Sequence, residues 1–98
     1  MARTNKSILQ RARRLLVEGG WVRETYHRGK CYCQVGAVIA AMNGPEKPFC
    51  VKTTAQAVQA AKLLGYPSLS AAIGANDSAN SKEEILANFD RALQRKSA

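Results

Sequence analysis

Residues 31–44 read CYCQVGAVIAAMNG, and from Val35 to Met42 no side chain is charged and all but Gly36 are apolar. A helix that is apolar around its whole circumference has no side to offer to water and must be covered on all of them. The stretch therefore reads as the central helix of a small domain. A short strand leads into it, and Asn43-Gly44 closes it, because glycine can take the left-handed conformation that ends helices.

Before this helix lie two elements able to cover it. Thr4 or Asn5 can cap a first helix running to about Glu18, in which Ile8, Leu9, Ala12, Leu15 and Leu16 make one apolar face and Lys6, Gln10, Arg13 and Arg14 the opposite one. Gly19-Gly20 stops it. Trp21 to Cys33 then alternates in character and is rich in β-formers, which predicts a short hairpin turning at Arg28-Gly29. A two-residue loop there sets Tyr26 opposite Cys31 and Val22 opposite Val35, with both cysteines on an apolar side and His27 on the other. A three-residue loop with a glycine bulge reverses that relation, so the register stays open.

After the central helix, Pro45-Glu46-Lys47-Pro48 makes a stiff loop. Thr53 or Thr54 can cap a third helix ending at Gly65, with Ala57, Val58, Ala61 and Leu64 inward and Gln56, Gln59 and Lys62 outward; its small residues permit close helix contact. Pro67 with Ser68 or Ser70 predicts a short helix from Ser68 to Gly74. Asn76-Asp77-Ser78-Ala79-Asn80 has the composition of a turn. Ser81 followed by Glu84 reads as a capping box, and the last helix behind it buries Ile85, Leu86, Phe89, Ala92 and Leu93. The fold expected is mainly α, a small α+β domain of four to five short helices around a central buried helix with one short β-hairpin. Residues 1–98 form a single compact helical domain, long enough to bury a core without help.

Composition narrows the setting. The longest apolar run falls far short of the roughly 20 residues that cross a bilayer, and MARTNKS carries no hydrophobic signal region, so the expected location is the cytoplasm. Three cysteines are an odd number, which fits reduced thiols better than a disulfide framework. Fifteen Lys and Arg against seven Asp and Glu give a net charge of +8, which favours acidic partners. Lys6, Arg11, Arg13, Arg14, Arg91, Arg95 and Lys96 lie toward the two ends of the chain; if the terminal helices pack side by side, these make one basic patch for nucleic acid or an acidic partner. No recognition pattern of Asn, Gln and Arg reaches for base edges, so nucleic-acid contact there would be to phosphates.

His27, Cys31, Cys33 and Cys50 are of the right chemical type for tetrahedral zinc, but Cys-x-Cys is a poor spacing, and buried thiols acting as small apolar residues are preferred. A cysteine nucleophile would need the single histidine, His27, and a third group to orient it. No phosphate-binding glycine loop occurs. The chain is therefore expected not to be an enzyme and to need no cofactor.

Gly20-Trp21, Cys33-Gln34-Val35-Gly36-Ala37, Asn76-Asp77 and the stretch from Glu84 to Ala92 together resemble a family of small uncharacterised proteins of actinobacteria and the phages that infect them. Members usually carry a tryptophan before Asn-Asp, where this chain has Ala75. The resemblance implies a helical domain with a small hairpin, and a phage-encoded protein in the host cytoplasm. The expected function is a protein-interaction module acting on a host or phage protein, with Trp21, Tyr26, Tyr32 and Tyr66 as anchors or, more commonly for such residues, as the rim of the core. The alternative is a basic helical protein that binds nucleic acid. Pairing of two copies through a helix face is open to either.

Overall fold

The computed structural model describes residues 4–43 and 54–97, the side chains of 54, 96 and 97 excepted. Helix α1 spans Asn5–Gly19. Thr4 stays extended so that its hydroxyl oxygen accepts the Ser7 N–H at 3.1 Å, and the Ser7 hydroxyl donates back to the Thr4 carbonyl at 3.0 Å. These bonds satisfy polar groups that a helix start leaves without partners. Ile8, Leu9, Ala12 and Leu16 are the buried stripe, as the spacing predicts. The helix ends where the Gly20 N–H donates to the Leu16 carbonyl at 2.9 Å.

The hairpin pairs β1 (His27–Arg28) with β2 (Cys31–Tyr32) in antiparallel register, His27 opposite Tyr32 and Arg28 opposite Cys31. The two-residue turn is Gly29-Lys30, one residue further along than the Arg28-Gly29 turn expected from the sequence. Gly29 at φ +61° accounts for this, since the left-handed conformation falls on the first turn residue. Tyr26 therefore faces Cys33 rather than Cys31, its carbonyl accepting the Cys33 N–H at 3.1 Å. The other side of β2 is also occupied: the Tyr32 N–H donates to the Gly20 carbonyl at 3.0 Å and the Val22 N–H to the Tyr32 carbonyl at 3.1 Å. Trp21 is thereby drawn alongside the hairpin.

Helix α2, Gln34–Asn43, is buried without interruption from Gln34 to Ala41. It packs on α1, on α3 (Thr54–Leu63) and on α4 (Leu69–Ser78), and α5 (Lys82–Ser97) lies against α1. The close fit to the hairpin depends on Gly36, where a β-carbon would overlap the Tyr26 carbonyl oxygen. Leu9, Leu16, Ile39, Ile85 and Phe89 are the large side chains fully enclosed in the core that results. The expected loop at 45–48, Cys50 and the caps at Thr53 or Thr54 lie outside the described residues.

Two local expectations are corrected. Helix α4 does not end at Gly74 but runs on to Ser78, so Asn76-Asp77-Ser78 is helical and not a turn. Asn and Asp weaken helices by bonding to nearby backbone in other conformations. Here Asn76 bonds chiefly to distant groups, as described below. In the cap of α5, the Ser81 hydroxyl accepts the Glu84 N–H at 3.4 Å, but the Glu84 carboxylate reaches past Ser81 to the Asn80 N–H at 3.1 Å. Among the described residues no helix is long and apolar enough to cross a membrane.

Candidate functional site

Asn76 is 1% exposed and uses both ends of its amide. Its Oδ1 accepts the Trp21 indole N–H at 2.8 Å and the Gln34 backbone N–H at 3.0 Å. Its Nδ2 donates to the Val22 carbonyl at 3.2 Å and to Asp77 Oδ1 at 3.2 Å. One side chain thus joins α4 to the start of α2 and to the segment that leads into the hairpin. A buried amide costs free energy unless its partners are supplied, and here they are.

A second cluster continues this network. Gln34 Nε2 donates to the Tyr66 hydroxyl at 3.1 Å and to the Ala72 carbonyl at 3.0 Å, and Asn88 Nδ2 donates to the same hydroxyl at 3.0 Å. Among the described residues no buried side-chain nitrogen or oxygen lacks a partner.

The segment pinned by Asn76 roofs a cleft of about 300 Å³ lined by Glu24, Thr25, Tyr26, Cys33, Ile73, Asn76 and Asp77. Glu24 adopts φ +68°, a left-handed conformation that costs a non-glycine residue roughly 1–2 kcal/mol. The Asp77 carboxylate holds it there, accepting the Glu24 N–H at 2.9 Å. Tyr26 and Ile73 give the cleft apolar walls, and the carboxylates of Glu24 and Asp77 give it negative charge.

Cys33 lies at the inner end, 4% exposed, with its sulfur accepting the Gly36 N–H at 3.2 Å. Burial pushes its thiol up to about 11, against the lowering effect of backbone N–H groups at Gly36 and Val35. Burial, and then the nearby Cys33, likewise raises the Tyr26 phenol. At neutral pH Cys33 is a protonated thiol, whereas a nucleophile or metal ligand must be a thiolate. The imidazole of His27 stacks at 4.9 Å on Tyr32, on the hairpin face opposite both cysteines.

The basic residues singled out from the sequence are divided by the fold. Arg13 bridges to Asp90 of α5 at 2.8 Å, Arg91 donates to Asn88, and Arg95 donates to the Leu64 carbonyl at the end of α3 at 3.2 Å. Lys6 and Arg14 are exposed on α1 and Arg11 is half-buried. The terminal helices do pack together, and among the described residues one ion pair, Arg13–Asp90, joins them. The side chain of Lys96 lies outside the described residues. The zinc candidates among the described residues, His27, Cys31 and Cys33, do not converge: Cys31 donates to the Gly19 carbonyl at 3.5 Å, Cys33 bonds at Gly36 and His27 turns to Tyr32. Among the described residues no three His, Cys, Asp or Glu side chains form a metal-binding group.

Sequence reasoning passed over Asn76 and Gln34 as organisers. A signal for Asn76 was present in Ala72, Asn76 and Ala79, which follow the i, i+4, i+7 spacing of a buried helix face and are all buried. Trp21, Tyr26, Tyr32 and Tyr66 all pack partly buried against the core.

A model of one protein family, described as a family of unknown function (DUF6197), matches residues 1–95. No curated protein and no solved structure matches the chain.

Proposed function

Because the chain belongs to that family, whose description carries no activity, we propose a reading from the geometry: a non-catalytic module that holds a protein partner through the cleft beneath residues 21–26. The observation that supports it is the placing of two carboxylates, Glu24 and Asp77, beside the apolar walls of Tyr26 and Ile73 in a chain of net charge +8. A volume of about 300 Å³ is at the small end of ligand pockets and suits one long side chain. An arginine or lysine of the partner fits both parts, its aliphatic stem against Ile73 and Tyr26 and its cation between the acids. The resemblance to small proteins of actinobacteria and their phages directs the search for that partner to host proteins.

Selection from a displayed peptide library tests this reading. Wild-type protein is expected to enrich peptides that share one Arg or Lys at a constant position. The Ile73→Arg variant, which fills its own cleft with a cation, is expected to enrich none of them while keeping the wild-type circular dichroism spectrum. Peptides without a shared basic residue, or equal capture by the folded variant, would overturn the proposal.

A further inference from the structure

The lining of the cleft beneath residues 21–26 is rich in hydrogen-bond acceptors that are still open. Asn76 spends both ends of its amide, Oδ1 on Trp21 and Gln34 and Nδ2 on Val22 and Asp77. The Glu24 N–H is spent on Asp77, and the Thr25 hydroxyl donates to the His27 carbonyl at 3.5 Å, which leaves its oxygen as an acceptor. Asp77 Oδ2 and the carboxylate oxygens of Glu24 bond to no group among the described residues except that Glu24 sits beside Asp77 through its backbone. Tyr26 and Cys33 bring a hydroxyl and a thiol, which accept as well as donate. Among the described residues no Lys, Arg or His lines the cleft.

The two acids are held differently. Asp77 is half-buried, and its Oδ1 takes the Glu24 N–H at 2.9 Å and Asn76 Nδ2 at 3.2 Å. The carboxylate is therefore tied down and its Oδ2 stays in one place. Glu24 has an exposed carboxylate, on a backbone that Asp77 holds at φ +68°. The cleft thus offers one fixed acceptor and one freer carboxylate with both oxygens available.

Resting on the reading of this cleft as a seat for a cation, we propose that it selects arginine over lysine, and that Asp77 sets the preference. A guanidinium carries a planar fork of N–H donors and no acceptor, so it can give one N–H to Asp77 Oδ2 and a parallel pair to Glu24. It is weakly hydrated, and loses less on leaving water for the apolar wall of Ile73 and Tyr26. An ammonium group is a strongly hydrated point charge on a flexible stem, and an oxygen fixed in place helps it less. Because Asp77 is already immobilised, binding costs it little rotamer freedom.

Chemical-shift titration of isotope-labelled protein with N-acetyl-arginine methylamide and its lysine, citrulline and asymmetric dimethylarginine counterparts is the test. The arginine compound is expected to move the Glu24, Ile73 and Asp77 amide signals and to bind about tenfold more tightly than the lysine compound, the step that one further charge-assisted hydrogen bond supplies. Citrulline, which keeps the shape without the charge, is expected not to bind. Dimethylarginine, which keeps the charge with fewer N–H groups, is expected to bind about fivefold more weakly than arginine. Asp77→Asn retains an Oδ1 for the Glu24 N–H and Asn76 and replaces the second oxygen, so it is expected to erase the preference while keeping the wild-type circular dichroism spectrum. Glu83→Gln, an equal change of charge at an exposed position of α5, is expected to leave it intact. Lysine or dimethylarginine bound as tightly as arginine, or a preference that survives in Asp77→Asn, would overturn this proposal and leave the cleft a cation site. Binding of neither the arginine nor the lysine compound, or of citrulline as well as arginine, would overturn both readings.

Discussion

The indole nitrogen of Trp21 donates to Oδ1 of Asn76 across 2.8 Å, joining the segment before the hairpin to a helix 55 residues further along the chain. The same oxygen takes the first backbone N–H of α2, so one amide aligns three elements. Asn76→Ala leaves the Trp21 N–H, the Gln34 N–H and the Val22 carbonyl without it. Unmet buried groups cost about 1–3 kcal/mol each, so a net loss of about 3 kcal/mol is expected. In a domain of this size that lowers Tm by roughly 15 °C. Thermal unfolding followed by circular dichroism checks it; a drop under about 4 °C would mean that water or rearrangement replaces the amide.

Two glycines in helices should respond with opposite signs. Gly36→Ala drives a methyl group into the Tyr26 carbonyl and should destabilise by about 1–3 kcal/mol, since backbone must move. Gly74, in α4, has nothing within 4 Å of where its β-carbon would be. Gly74→Ala should therefore stabilise by about 0.5–1 kcal/mol through helix propensity alone. Urea titration of both variants decides it, and the same sign for both would refute the account of the α2–hairpin contact.

The raised thiol of Cys33 predicts a loss of stability in alkali. Its unfolded value is near 9.0 and its folded value about 11, so the folded state holds the proton more tightly. The stability is complete below pH 9 and is lost between pH 9 and 11 as the unfolded chain ionises first. Wild-type protein should lose about 2 kcal/mol more than Cys33→Ala between pH 8 and pH 10.5. The part of the Tyr26 shift that burial causes is common to both proteins and cancels, whereas the part due to Cys33 is lost in Cys33→Ala and belongs to the difference. Parallel curves for the two proteins would show that Cys33 is not shielded as described.

Glu24 carries backbone strain at the mouth of the cleft. Replacing it with glycine, which takes a positive φ freely, should raise stability by about 1 kcal/mol, seen as a Tm increase of roughly 4–8 °C. Asp77→Ala should act in the reverse direction, because the Glu24 N–H loses its acceptor and Asn76 Nδ2 loses one of its two. An unchanged Tm in both variants would show that the segment does not depend on this carboxylate.

The helices and hairpin were legible where the signal is local. Thr4 and Ser81 act as caps at the positions expected, and the uncharged run from Val35 is enclosed as its composition demands. What escaped was tertiary in origin. Asn76-Asp77 looks like a turn because its side chains compete for their own backbone, and that competition disappears once Trp21, Val22, Glu24 and Gln34 engage them instead. The hairpin register was open for a related reason: only the left-handed Gly29 and the pairing of β2 with Gly20 and Val22 select one turn over its neighbour. The basic patch was half legible. Helix spacing put the arginines outward but could not tell which of them Asp90 and the Leu64 carbonyl would engage.

Helix α2 has no bare side from Gln34 to Ala41, so it cannot serve as a lever: to rock it would mean displacing every neighbour together. Any change of shape in this domain must then fall on the elements packed around α2 and not on α2 itself.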